Sequence, residues 1–586
     1  MGLFVLSSSS TTVDNERLRL LFVKKGFPPP DGIPMGPARL MFSERPGVSS
    51  PTWYRSRESW SLHYVGTLAY RSLGCHAGVK RLLVDFAGDS VDSSELVGSF
   101  CIVVFDGSRV RVQTDTAGLC HVFSNREGTI ISNSLQAVLV ADGRRHTLNR
   151  DALLEQLLTG SAAGPDTLFT DIELLTQQRQ RNFGSPIAEF LVVGSKTGTG
   201  EQCQKSPSEC LEFQLAVLRG YFKKISSLAN EAGVSLGVSG GYDSRLLLLL
   251  VKEAGLPVSA YTYSSRAHRR EHAVAEELAR HANVELRPVA LRIWGQLDSQ
   301  ALAANMDDAL YRWDGRTNKT MGTFNDVHTT AVYRSALGSA RLNLNGLGGE
   351  LYRNREHLRS GRLDFSRWLQ YFVMGPESTA AIQGRGVAET LVARLGRKYA
   401  RLMGVDNLKE FDGHMARRWY REVWLPFSAG PRLCAENQAS FALMPFADWS
   451  VSGEALRVTS HLGTGGAFEA AMIRKLDRRA AGITSNYGHP FDHVPPLTKL
   501  SDEIKSRAPL GPRLRFHVQK AMSSGSKQSP GYAPKPPPSV EAGMRILRQM
   551  SLPIDWDVFL ADCVNRDRCY YIAHFLDSFK EHLSVD

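Results

Sequence analysis

Ser239-Gly240-Gly241-Tyr242-Asp243-Ser244 lies between two apolar runs, Val234-Ser235-Leu236-Gly237-Val238 before it and Arg245-Leu246-Leu247-Leu248-Leu249-Leu250-Val251 after it. The first run has strand length and the second opens a buried helix, so the six residues form a strand-to-helix turn. Such a turn aims free backbone N–H groups and the positive end of the helix dipole at whatever lies before the helix, which suits a phosphate. Gly240 and Gly241 let a ligand approach the backbone, and the hydroxyls of Ser239 and Ser244 can donate to phosphate oxygens. Asp243 is the odd member, because an acid beside phosphates is repulsive unless a cation lies between them, and on that ground the loop implies magnesium.

Outward from this loop, helical and strand patterns alternate. Glu209 to Ala232 reads as helix, Val234 to Val238 as strand, Arg245 to Ala254 as helix, Val258 to Tyr263 as strand and Arg270 to His281 as helix. That alternation predicts a doubly wound parallel sheet with covering helices. Upstream, Trp60 to Ile131 breaks into short alternating runs such as Ser99 to Phe105 and Val110 to Thr114, split by Asp106-Gly107, and predicts an antiparallel β-rich region. Asn149 is placed to cap a helix running to Leu158. The expected class is thus α/β and α+β. The expected domains are 1–193, a linker at 194–208, 209–522, and 523–586, the last a Pro/Ser-rich loop followed by one amphipathic helix over Trp556 to Leu583.

With 586 residues, 42% hydrophobic and 22% charged, the chain is expected to be globular and water-soluble with more than one core. A net charge of +11 raises a polyanion as partner. The basic residues are scattered, however, in doublets such as Arg144-Arg145, Arg269-Arg270, Arg417-Arg418 and Arg478-Arg479, which reads as a solvated basic surface and argues against nucleic acid. The eight cysteines show no C-x-x-C pair or zinc spacing, so reduced structural thiols are expected. The longest aliphatic run, Leu246 to Val251, is far short of a membrane span, and the apolar start lacks a basic n-region, so a cytoplasmic location is expected.

The Ser-Gly-Gly-x-Asp-Ser hexad resembles that of the PP-loop ATP pyrophosphatases, which cleave ATP between the α and β phosphates. The surrounding residues resemble the asparagine synthetase family within that superfamily. Leu96 to Phe100 through Asp106, Thr114 to Leu119 and Ile131 to Ser134 are similar to motifs of the family's N-terminal amidotransferase (Ntn-type) domain, and Gly164 to Ile172 to the stretch leading out of it. Glu271 to Leu278 and Met444-Pro445-Phe446-Ala447-Asp448 follow in the family's order. The resemblance implies that Val238, Ser239, Gly240, Gly241, Asp243, Ser244, Tyr263, Gly346, Gly348 and Gly349 bind ATP. It further implies that Asp243 and Glu350 hold Mg2+, and that Asp243, Arg245 and Glu350 serve catalysis.

Three departures from the family shape the expected chemistry. Glutamine-dependent members place a nucleophilic cysteine at position 2, where this chain has Gly2, so glutamine hydrolysis is not expected. Asn345-Gly346-Leu347-Gly348-Gly349-Glu350-Leu351-Tyr352 is one residue shorter than the family loop and keeps one acid. Asn486-Tyr487-Gly488-His489-Pro490-Phe491 lacks the family's lysine, leaving Arg245, Arg353 or Arg474 to supply positive charge. Loss of the cysteine is shared with the β-lactam and carbapenam synthetases and the lasso-peptide macrolactam cyclases. The leading expectation is an AMP-forming ligase joining a small-molecule or peptide carboxylate to an amine or ammonia, alone or with biosynthetic partner proteins. The alternatives are a catalytically degenerate scaffold and an RNA-modifying PP-loop enzyme.

Overall fold

The computed structural model describes residues 2–44, 53–55, 60–177, 184–192, 204–264, 269–292, 297–319, 321–324, 326–354, 362–384, 386–507, 509–524 and 536–584. Most of the expected linker and the Pro-rich stretch at 525–535 lie outside the described residues.

Val234–Gly237 is the middle strand of a five-stranded, wholly parallel sheet. The order across it is Leu286–Ala290, Val258–Ser264, Val234–Gly237, Leu342–Leu344, Phe441–Leu443. A strand with neighbours on both sides and helices on both faces is expected to be largely apolar, and 234–238 is so except at buried Ser235, whose hydroxyl donates to Ala336 O at 2.8 Å. Side chains alternate between faces. Ala260 accordingly joins Leu236, Leu246, Leu250, Val274 and Leu278 in one core, while its neighbour Tyr261 packs with Val289, Val332 and Ala336 in another. The first of these cores is covered by helices Pro207–Ala232, Tyr242–Glu253 and Arg269–Ala282 and the second by helix Thr330–Leu337. Helix Pro207–Ala232 starts two residues earlier than expected, because Ser206 and Glu209 form a reciprocal capping box with Pro207 in the first turn.

The N-terminal part contains two stacked sheets. One has the order Ile172–Leu174, Phe123–Asn125, Ile130–Ser132, Gly2–Ser8, Ala38–Glu44, Asp31–Met35, and is antiparallel throughout. The other runs Glu189–Val192, Val110–Thr114, Leu96–Phe105, Ser61–Tyr70, Trp53–Arg55; it is antiparallel except that Glu189–Val192 lies parallel to Val110–Thr114. Phe4, Leu6, Leu40, Val65, Val103 and Val112 fill the space between them. The outer face of the second sheet is covered by helix Cys75–Ala87 through Val79, Leu82 and Leu83. That helix was not anticipated inside the β-rich region, since its sequence alternates poorly with the flanking strands. Asn149 caps helix Arg150–Thr159, accepting from the N–H of Ala152 at 3.1 Å.

The C-terminal residues form no separate appendage. In place of one long helix, Trp556–Ala561 and Cys563–Ser578 are two helices, followed by Leu583–Ser584, which pairs parallel with His146–Thr147. Asp562 ends the first and caps the second by accepting from Asn565 N–H, so the break is built into the sequence. Tyr571, Ile572 and Phe575 are fully buried in a core shared with Ala137, Leu157, Leu310 and Trp313, so the chain's end is built into the junction of its N-terminal sheets and C-terminal helices.

A second contact at that junction sets a pH dependence. Buried His121 receives Arg316 Nη1 on its Nδ1 at 2.8 Å, so its Nε2 carries the proton and donates to Pro426 O at 2.9 Å. Burial, opposed by Cys434 and reinforced by Arg316, lowers its pKa to about 4. A folded pKa below the unfolded value leaves stability intact above about pH 6.5 and removes it as pH falls toward 4. His121 alone is expected to cost about 2 kcal/mol of stability between pH 7 and pH 5. The drop in urea-unfolding free energy over that range should therefore be smaller by that amount in His121→Gln.

No helix among the described residues is long and apolar enough to cross a membrane. No disulfide joins the cysteines among them.

Candidate nucleotide site

The loop helix begins at Tyr242, earlier than the apolar run alone suggests, so Asp243 and Ser244 occupy its first turn and Gly241 is its N-cap. No side chain caps that end, which leaves first-turn N–H groups facing the loop mouth. The turn is braced internally: Ser244 Oγ accepts from Ser239 N–H at 3.0 Å and lies 3.0 Å from Ser239 Oγ, and Gly241 N–H donates to Ser239 Oγ at 3.3 Å. Val238 is buried and its N–H donates to Tyr261 O at 2.8 Å, tying the loop's start to the next strand.

Two distant segments close on this turn, and both are departures noted in the sequence. Asn486 N–H donates to Gly240 O at 3.2 Å, and a Cβ on Gly240 would stand 2.8 Å from Asn486 N. Only glycine therefore allows the 486–491 segment to seat on the loop. Phe491 stacks on Tyr242 at 3.8 Å, with Tyr487 at 5.4 Å on the same ring, so Tyr242 is a packing residue. From the other side, Asn345–Tyr352 lies on Asp243. A Cβ on Gly349 would fall 2.2 Å from Asp243 Oδ1, one on Gly346 3.2 Å from Asp243 Cβ, and Gly348 has φ +102.

The charged group nearest Asp243 is Arg353. Its Nη2 lies 2.8 and 2.6 Å from the two Asp243 oxygens, 3.9 Å from Glu350 Oε1, and its Nε is 3.0 Å from Glu469 Oε2, out of line for a hydrogen bond. Glu469 is fully buried; burial and then Asp243 push its carboxyl well above the usual range, against the pull of Arg353. One guanidinium thus faces three carboxyls, and the deepest is pushed toward its protonated form by desolvation and like charge. Glu350 Oε2 accepts from Tyr420 OH at 2.8 Å and from Gly348 N–H at 3.2 Å.

This arrangement corrects one expectation. Arg245, expected over the phosphates, is fully buried instead: its Nη1 donates to Ala480 O and Ile483 O at 2.8 Å, its guanidinium lies 4.4 Å over Phe491, and burial lowers its pKa to about 10. It holds the segment that carries Asn486 rather than facing the loop mouth. Arg474 is exposed on helix Ala467–Leu476. The residues expected at magnesium are placed as follows: both oxygens of Asp243 lie within hydrogen-bond range of one Arg353 nitrogen, which also approaches Glu350 at 3.9 Å. Among the described residues no group of three His, Cys, Asp or Glu is arranged to hold a metal by itself.

Tyr263, expected at the nucleotide, is half-buried beside Tyr261 and next to Arg432 and Glu436. Arg417 is also displaced from expectation. Half of a doublet read as surface charge, it is half-buried, with its pKa lowered to about 9 by desolvation, and donates to Leu351 O, Arg353 O and Ala455 O, fixing the turn that presents Arg353. Glu469, Tyr420 and Arg417 carried no local motif by which a sequence could single them out.

At the chain's start, Gly2 is on a buried strand and its carbonyl accepts from Asn133 Nδ2 at 3.1 Å. A Cβ there would meet Val65 Cγ1 at 3.1 Å and Phe42 Cζ and Ser43 O at 3.2 Å. Gly2→Cys is expected to destabilise the protein by about 1–3 kcal/mol through overpacking and to release no ammonia from glutamine. A urea melt and a glutaminase assay check the two parts.

Residues 234–335 match the family model of the queuosine biosynthesis protein QueC. A PP-loop ATP pyrophosphatase domain occupies the C-terminal part of this chain. The match begins at the central strand of the parallel sheet, spans the hexad and ends within helix Thr330–Leu337, so it covers three of the five parallel strands and stops before Arg353. A search of the curated proteins finds no significant match.

Proposed function

We propose that this protein is an ATP-dependent ligase that converts a substrate carboxylate to its adenylate and passes the acyl group to an amine or ammonia. The carrying observation is the uncapped helix N-terminus at Ser239–Ser244, set at the carboxyl end of the central parallel strand, where open α/β sheets bind ligands, with the 345–352 and 486–491 segments folded onto it. ATP, with magnesium as part of the substrate, would lie with its phosphates on the PP-loop amides. A carboxylate oxygen bonds to the α-phosphorus as the bond to the bridging oxygen breaks, and pyrophosphate leaves. An amine then bonds to the acyl carbon, AMP leaves, and the amine's proton passes to solvent. The chain's contribution is alignment and charge stabilisation of the in-line displacement.

Support for the amide-forming outcome comes from the order of family-like segments across both parts of the chain. A crowded Gly2 fits an enzyme that takes its nitrogen from somewhere other than glutamine. The QueC match favours a second reading, in which the same PP-loop acts in nucleobase or RNA modification. An ATP–pyrophosphate exchange screen of the purified chain over carboxylic acids separates these. Exchange with one acid class is expected; no exchange with any acid, together with salt-sensitive RNA retention on a filter, would replace the first reading by the second. No exchange and no ATP binding at millimolar concentration would leave a scaffold.

A further inference from the structure

We infer that Arg353 takes the place of a protein-held divalent cation at the phosphate site. The inference rests on the nucleotide reading above and adds to it the identity of the positive charge. An acid in the first turn of a phosphate-binding helix needs a cation beside it, and Asp243 has one: a guanidinium nitrogen at 2.6 and 2.8 Å from its two oxygens. That guanidinium has neighbours on several sides. Glu469 lies 3.0 Å from its Nε without a hydrogen bond, Glu350 3.9 Å from its Nη2, and the Tyr242 ring 5.5 Å from its Cζ. Arg417 holds the backbone carbonyl of Arg353 itself at 3.2 Å. Only 9% of the Arg353 side chain is exposed, and Tyr487 of the 486–491 segment also bonds to it.

A delocalised, always-charged fork suits this role, because it can hold a carboxylate on one edge and phosphate oxygens on another without dehydrating.

The test measures ATP affinity of the full chain by titration calorimetry, in excess magnesium chloride and in EDTA. Wild type is expected to bind ATP in EDTA within tenfold of its affinity in magnesium. Arg353→Gln should weaken binding in EDTA tenfold or more, with Arg353→Lys between the two because the charge remains and the fork is lost. Wild-type binding weakened tenfold or more by EDTA would overturn the assignment, as would Arg353→Gln binding as wild type does. If Arg353→Gln fails to give a cooperative melt, wild type in EDTA and Arg353→Lys decide alone. Wild type that binds no ATP in either buffer refutes the nucleotide reading itself, and the assignment falls with it.

Discussion

Asp243→Asn is expected to lower carboxylate-dependent pyrophosphate release by on the order of 10²–10³-fold while leaving the fold intact. The size is that seen when one preorganised electrostatic partner of a developing charge is deleted. Asparagine keeps the shape and one acceptor for Arg353, so the close seating of Gly346 and Gly349 on this side chain is undisturbed. Two electrostatic conditions change. Arg353 loses its nearest counter-charge, and Glu469 loses the neighbour that, after burial, raises its carboxyl most. Glu469 is then freer to ionise against Arg353, and the guanidinium moves from sharing charge with the loop to pairing behind it. A coupled pyrophosphate assay with the acid found by exchange, beside a circular-dichroism melt, measures both halves. Activity within threefold of wild type with an unchanged melt would remove Asp243 from the mechanism.

The largest loss of stability is expected from Asp314→Ala, about 3–5 kcal/mol. Asp314 stands just after helix Ser299–Trp313 in the left-handed region at φ 60. Its carboxylate bonds Lys25 Nζ at 2.7 Å, with both side chains only 1% exposed, and also accepts from Ser134 Oγ at 2.7 Å, Leu135 N–H and Gln136 N–H at 3.3 Å. It thus ties the C-terminal helices to three successive residues of the N-terminal part. Burial would raise its pKa, but Lys25 and Arg316 more than offset this and hold it below the ordinary value. Lys25 fares differently: burial outweighs Asp314 and lowers its pKa. The asymmetry follows from partner number, since Asp314 has several donors whereas Lys25 relies on Asp314 and the carbonyl of Tyr311. Lys25→Met should therefore cost less than Asp314→Ala in guanidinium unfolding, and the reverse order would show that the lysine, not the aspartate, is the anchor.

Much of this site could be read in the sequence because its chemistry is local. Strand, turn and helix at 234–251 are consecutive, so the period of apolar residues and the two glycines were enough to place a phosphate-binding turn on a parallel sheet. The helix-breaking Asp562 and the helix at 75–87 were missed for a related reason: each depends on a short capping or packing signal inside a region dominated by another pattern. Asn149 was found because its cap adjoins a clean apolar repeat.

What was not legible is which charges meet. Arg245 is next to the loop in sequence, yet the helix turns its side chain onto the carbonyls of Ala480 and Ile483. Arg353 is more than a hundred residues away and arrives because strand Leu342–Leu344 is parallel and adjacent to Val234–Gly237, so that their carboxyl-end loops share one edge. Glu469 comes from a helix beyond the last strand. The sequence by itself determined the PP-loop and the parallel sheet that carries it, both of which follow from neighbouring residues and local backbone geometry. Only the tertiary structure decided that the Arg353 guanidinium meets Asp243, because that outcome depends on strand order and burial, which bring charges from distant segments within hydrogen-bond range.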